Sequence, residues 1–160
     1  MEFEIRKVKK SDNLFLATMI REVFEEHNAP HEGTVFSDPT TDHLYELFRK
    51  ENSVLWVAEK GNSILGCCGI YPLEGLNENY TELVKFYLPS SERGKGIGKA
   101  LMQKSIESAK ELGYKYLYLE SLPHFAKAVN LYEKLGFNKL DQPLGNSGHA
   151  TCNIWMSMEL

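Results

Sequence analysis

One run constrains this chain more than any other: Arg93-Gly94-Lys95-Gly96-Ile97-Gly98-Lys99, three glycines set among cations between a β-rich stretch and an amphipathic helix. Ahead of it, Tyr80 to Leu88 is rich in β-formers. Behind it, Ile97, Leu101, Met102, Ile106, Ala109 and Leu112 fall in one half of a helical wheel, while Lys99, Gln103, Lys104, Glu107, Lys110 and Glu111 take the other. Such a helix lies on a core with one face in water, and Gly113 ends it. A glycine-rich turn opening a helix is suited to an anion, because successive N–H groups point into the turn and the helix N-terminus adds roughly half a positive charge. Arg93, Lys95 and Lys99 add to it. The phosphate loop of NTPases is excluded, since Gly98-Lys99 is followed by Ala100 where Ser or Thr is needed. The dinucleotide fingerprint is excluded by the glycine spacing and by the run's place after about the fourth strand. A ligand with a diphosphate of another kind is what remains.

The rest of the chain supplies the frame. Phe3 to Val8 alternates apolar and polar residues as a half-buried strand does. Ser11 or Asp12 can cap a helix running to about Glu26, with Leu16, Met19, Ile20, Val23 and Phe24 facing inward. Residues 27–39 read as a loop and Asp42 to Lys50 as a short helix. Ser53 to Glu59 and Ser63 to Tyr71 are strands around the turn Lys60-Gly61-Asn62. Lys115 to Glu120 is a strand, and Pro123 suits the first turn of a helix whose inner face is Phe125, Ala128, Val129, Tyr132 and Leu135. Gly136 closes that helix, and Phe137 to Leu140 and Thr151 to Met158 are the last strands. The order β-α-α-β-β-β-α-β-α-β-β predicts an α+β fold with a mixed central sheet and helices on both faces.

At 160 residues, without repeat or long linker, the chain reads as one domain over 1–160. Its 42% hydrophobic and 25% charged residues are ordinary for a globular protein. A net charge of −4 argues against nucleic acid as the main partner. The three cysteines, Cys67, Cys68 and Cys152, have neither disulfide-framework nor metal-ligand spacing, and are expected as free thiols in a reducing cytoplasm with no metal bound. The first residues lack the apolar segment of a secretory signal, and no apolar run approaches the ~20 residues that span a bilayer. A cytoplasmic protein without membrane partners is expected.

Leu83-Val84-Lys85-Phe86-Tyr87-Leu88-Pro89 followed by Arg93 to Leu101 resembles the acetyl-CoA-binding motif of the GNAT N-acetyltransferases. Arg93, Gly96 and Gly98 match that family's loop. Ala128-Val129-Asn130-Leu131-Tyr132-Glu133-Lys134-Leu135-Gly136-Phe137 resembles its second signature, with Tyr132 and Gly136-Phe137 in place. The detailed match covers about residues 80–137. The resemblance implies the single-domain GNAT acyl-CoA N-acyltransferase fold, splayed between the strand ending at Leu88 and the one starting near Lys115. It implies acetyl-CoA as cosubstrate and transfer of acetyl directly to a primary amine. On the same footing, the Phe86 N–H would polarise the thioester carbonyl and the Leu88 N–H would bind the pantetheine arm. Arg93, Gly94, Lys95, Gly96, Ile97, Gly98 and Lys99 would hold the pyrophosphate. Glu82 would be the general base, with His149 or solvent as alternatives, and Tyr132 the general acid. One departure stands out: many relatives carry Asn where this chain has Phe125, which makes the arm's pocket more apolar.

The acceptor end is expected between the first helix–helix loop and the final hairpin. These bring His27, His31, Glu32 and Tyr45 from one side and His149, Cys152 and Trp155 from the other, with His149 and Glu120 as candidate substrate contacts. The acceptor would be a small molecule or peptide amine, the protein a monomer or homodimer, and a longer acyl donor stays open. The alternative is an acyl-CoA-binding sensor or interaction module of the same fold. An intact Tyr132 favours turnover, since a sensor needs no proton donor.

Overall fold

A computed structural model describes residues 2–147 and 151–160. The strands are β1 (Glu4–Lys7), β2 (Val54–Lys60), β3 (Ser63–Tyr71), β4 (Tyr80–Tyr87), β5 (Tyr116–Ser121), β6 (Asn138–Leu140) and β7 (Ile154–Glu159); the helices are α1 (Asn13–Glu26), α2 (Leu44–Leu47), α3 (Ile97–Glu111) and α4 (Ala126–Lys134). Their order is the expected one. Three local expectations change. The helix expected over Asp42 to Lys50 is a single α-turn preceded by a 3-10 stretch, Pro39–His43, which Pro39 opens. The loop before it contains a further 3-10 turn, Val35–Ser37, whose amide at Phe36 is capped by the Thr34 hydroxyl. Asp12 precedes α1 but does not cap it. Its carboxylate instead accepts two hydrogen bonds from Arg6, at 2.8 and 3.0 Å, and one from the Lys9 amide at 2.7 Å. Arg6 also reaches Glu59 at 2.8 Å, so one guanidinium ties β1, β2 and the start of α1 together.

The seven strands form one sheet in the order β1-β2-β3-β4-β5-β7-β6. Every pairing is antiparallel except β4 with β5. That parallel pair is short, running from Tyr80 opposite Tyr116 to Glu82 opposite Tyr118. Beyond it β4 follows β3 as far as Tyr87, while β5 follows β7 as far as Ser121. The two strands therefore diverge, and the expected splay is present.

Two apolar clusters cover the faces of the sheet. On one, Leu101, Met102 and Ala109 of α3 and Val129 and Tyr132 of α4 pack on Cys68, Ile70 and Leu117. On the other, Leu16, Ile20 and Phe24 of α1 and Leu44 of α2 pack on Leu55, Val57 and Cys67. Adjacent residues of a strand point to opposite faces, so Cys67 and Cys68 are each buried in a different cluster, both as free thiols.

Candidate active site

The splay opens a cleft of about 660 Å³ between β4 and β5. Its shape depends on a bulge in β4. Gly69 pairs with Val84 and Cys67 with Tyr87, so Lys85 and Phe86 together oppose the single residue Cys68. Lys85 takes φ +57°, a left-handed conformation for a residue with a Cβ. That strain is on the order of 1–3 kcal/mol and is held only where surroundings over-determine it. Bulges re-aim the side chains and amides that follow, here those of Phe86 and Leu88, both of which line the cleft.

One end of the cleft is the glycine run. Gly94 and Gly96 have φ of +75° and +86°, and a Cβ built on either would meet nothing within 4 Å. The backbone amides of residues 94–99 donate to no acceptor among the described residues, the first helical bond being that of Ala100 to Gly96. These amides form an open cradle of the kind a diphosphate needs. The members of the run differ in role. The Ile97 side chain is sunk in the core, leaving only its amide for a ligand. A Cβ at Gly98 would stand 3.0 Å from Phe86 Cζ, so this glycine also lets α3 sit close on β4. Arg93 is bound to Glu26 at 2.5 and 3.0 Å and to the Leu88 carbonyl at 2.9 Å, which anchors the loop to α1 and to the end of β4. Its guanidinium holds the Glu26 carboxyl below the usual carboxylate range. Lys95 pairs with Glu92 at 3.3 Å, and Lys99 lines the cleft.

Tyr132 reaches the same cleft from α4, with its ring packed on Phe86 and Phe137 at centroid distances of 6.0 and 5.8 Å. Its hydroxyl makes no hydrogen bond to a described residue, and burial pushes the phenol pKa upward. Phe125 lies edge-on to Phe24 at 5.3 Å and to His27 at 5.2 Å, giving the apolar wall its identity implied.

The other end is charged. Glu82, where β4 leaves β5, is 7% exposed. Burial first, and then the charge of Glu120, push its pKa up to about 8, against the opposing pull of Lys85. Glu120 accepts from the Tyr118 hydroxyl at 2.7 Å and from the Ser147 hydroxyl. The Leu144 amide donates to the Tyr118 hydroxyl at 3.0 Å, so the segment after β6 is tied to β5. Lys85, also 7% exposed, lines the cleft beside these carboxylates. Burial lowers its pKa, and Asp38 and Glu82 act against that.

The acceptor candidates divide. His27 and Cys152 line the cleft, with His27 Nδ1 on the Val23 carbonyl at 2.9 Å and burial pushing the Cys152 thiol up to about 12. His31, Glu32, Tyr45 and Trp155 do not line it; His31 stacks on Phe36 at 3.6 Å instead. His149 lies outside the described residues. Lys85, Phe24, Thr34 and Val35 line the cleft without having been anticipated. The available signal was a lysine embedded in Leu83-Val84-Lys85-Phe86-Tyr87-Leu88, where every neighbour is apolar or aromatic. Among the described residues no group of three or more His, Cys, Asp or Glu is placed to hold a metal, and no helix is long and apolar enough to cross a membrane.

A family model described as the acetyltransferase (GNAT) family matches residues 20–137. The uncharacterized N-acetyltransferase YjgM of Escherichia coli (strain K12) is 36% identical over 157 residues, covering 98% of this chain and 94% of that protein. An acetyltransferase of the GNAT family from Staphylococcus aureus Mu50 has a similar fold, with a TM-score of 0.88, 22% identity and 99% of each chain covered. The paia N-acetyltransferase of Thermoplasma acidophilum, solved in complex with coenzyme A, superposes with a TM-score of 0.75 at 20% identity over 100% of both chains.

Proposed function

This chain belongs to the GNAT family of acetyl-CoA-dependent acetyltransferases, and from that premise we propose that it passes the acetyl group directly to a primary amine, with Glu82 as general base and Tyr132 as general acid. The observation that carries the proposal is that two buried side chains without hydrogen-bond partners among the described residues, one a carboxyl and one a phenol, line the same cleft as the open amide cradle. Acetyl-CoA fits this cleft: the amides of 94–99 with Lys99 would take the pyrophosphate, and the Phe125 side would take the pantetheine arm. What the cosubstrate supplies is an acetyl group activated as a thioester.

The chain's own groups do the rest. An alkylamine has a pKa of ~10.4 and must lose a proton before it can attack. Glu82 accepts that proton, directly or through water. The amide of Phe86, re-aimed by the bulge, would donate to the carbonyl oxygen as negative charge develops there, a fixed dipole that need not reorganise. Tyr132 then protonates the departing sulfur; a thiol of pKa ~8.5 ends protonated at neutral pH, and the uphill transfer from the phenol is completed when solvent returns a proton to Tyr132. Burial, by raising the phenol pKa, keeps that proton in place between turnovers. The raised pKa of Cys152 supports direct transfer over an acyl-enzyme on this residue. Two buried free thiols support a reducing, cytoplasmic setting.

The test is a binding measurement with acetyl-CoA followed by thiol release with a panel of amines, the acetylated acceptor being identified by mass spectrometry. Binding without release for any amine would return the chain to the sensor reading. An acetyl group found on Cys152 would overturn direct transfer.

A further inference from the structure

We propose that the acceptor is a free α-amino acid with an apolar side chain, its amine received beside Glu82 and Glu120 and its carboxylate by the ammonium of Lys85. This rests on the acetyltransferase reading above and adds the substrate class.

Lys85 is the observation. It is 7% exposed, sits at the bulge in a left-handed conformation, and lines the cleft. No hydrogen bond or ion pair joins its ammonium to a described residue. Nor is that ammonium sealed off, since Arg6 Nε is the one buried side-chain polar atom without a partner among the described residues. A cation withdrawn from water is costly unless something of opposite charge meets it. The carboxylates whose charge acts on it are Glu82 and Asp38. Asp38 is engaged by the Thr40 amide at 2.9 Å and the Thr40 hydroxyl at 2.7 Å, which holds it at the start of the 3-10 stretch. Glu82 is the group required to take a proton from the amine. A ligand carboxylate would complete the arrangement.

The polar groups at this end of the cleft suit a zwitterion. Glu82 and Glu120 act electrostatically on one another and Lys85 acts on Glu82, so two carboxyl groups and one lysine share one end of the cleft. An α-amino acid carries its ammonium and carboxylate on one carbon, about two bonds from the nitrogen to the carboxyl carbon, or ~2.5 Å. Such a zwitterion presents each charge to its opposite. A plain amine would bring Lys85 no further counter-charge, and an internal peptide residue would offer it a neutral carbonyl. The cleft also carries the apolar side chains Val23, Phe24, Val35 and Leu122, which suit an aliphatic or aromatic side chain.

The experiment compares matched acceptors on the wild-type enzyme: leucine with 3-methylbutylamine, and phenylalanine with 2-phenylethylamine and phenylalanine amide. Loss of one partner of a desolvated charge pair weakens recognition steeply, so kcat/KM for the amino acid should exceed that of the decarboxylated amine or the amide by about a hundredfold. Lys85→Met should raise KM for the amino acid and collapse that ratio by at least about tenfold, and Lys85→Arg should retain most of the preference. Wild-type ratios need no variant, so misfolding of Lys85→Met cannot rescue the idea. Amines or amides acetylated as well as amino acids would overturn the proposal and leave the acetyltransferase reading standing. Acetyl-CoA bound with no acceptor of any class acetylated would overturn both. An unchanged ratio in a folded, acetyl-CoA-binding Lys85→Met would remove Lys85 from recognition.

Discussion

At the scale of single residues, Tyr132 and Glu82 make separable demands. Tyr132→Phe keeps the ring between Phe86 and Phe137 and deletes only the hydroxyl, which has no partner among the described residues to lose. Melting temperature and acetyl-CoA affinity should hardly move, while turnover should fall by ~10²–10⁴-fold where proton transfer limits the rate. Near-wild-type turnover with chemistry shown to be slow would end the general-acid role. Glu82 carries a pKa of about 8, mainly through burial, so at pH 7 most of the population is protonated and unable to accept. Activity should climb with pH and level off above about 8, and Glu82→Gln should lose that limb together with ~10²-fold or more in rate. A pH–rate profile is the measurement, and an identical limb in the variant would assign the titration to the amine itself.

At the scale of elements, the loop into α3 and the bulge in β4 set the cleft. Gly96 needs its φ of +86°, and a side chain there would project into open space where a phosphate would lie. Gly96→Val therefore carries both backbone strain and a blocked cradle. Acetyl-CoA at 100 times its dissociation constant stabilises a protein that binds it by ~2.7 kcal/mol. The wild type should show the corresponding thermal shift and Gly96→Val should show almost none. A full shift in the variant would move the phosphate site elsewhere. Gly98 answers to packing as well as binding, since a Cβ there presses on Phe86 at 3.0 Å. Gly98→Leu should lower the melting temperature even without ligand.

For the whole molecule, two carboxylates give stability opposite dependences on pH. Burial pushes Asp12 up, but hydrogen bonds from Arg6 and the Lys9 amide outweigh it and hold the carboxyl below its ordinary value. Its contribution is present above the unfolded-state pKa of ~3.9 and is lost as pH falls through the lower folded value. Glu82 has a folded pKa of about 8, raised above that of an unfolded glutamate. Its stabilising, protonated form is fully present below ~4.3 and is lost as pH rises toward 8. Urea unfolding should therefore show stability declining between pH 5 and 8. Glu82→Gln, which keeps the neutral shape, should flatten that decline and be more stable than wild type at the upper end. A wild-type curve that is flat there would show that Glu82 titrates normally. Arg6→Met should destabilise at every pH where Asp12 is ionised, by up to ~3–5 kcal/mol for a broken buried pair.

Reading the sequence alone settled what depends on neighbours along the chain. Local spacing carried the order of strands and helices, the glycine cradle after β4, the inner faces of α1, α3 and α4, and the placing of Tyr132 on the packed side of α4, because periodicity and turn chemistry act over a few residues; Leu112, expected on the inner face of α3, is instead exposed just past the helix end. Tertiary structure decided what depends on residues far apart. Asp12 turned from capping α1 to binding Arg6 because β1 and β2 bring Arg6 and Glu59 beside it. Arg93 met Glu26, 67 positions away, and Glu120 met Ser147, 27 positions away. Lys85 and Glu82 acquired their character only when folding buried them and brought Asp38 and Glu120 within electrostatic reach. Desolvation depends on everything that surrounds a group in space, and no stretch of sequence specifies that by itself.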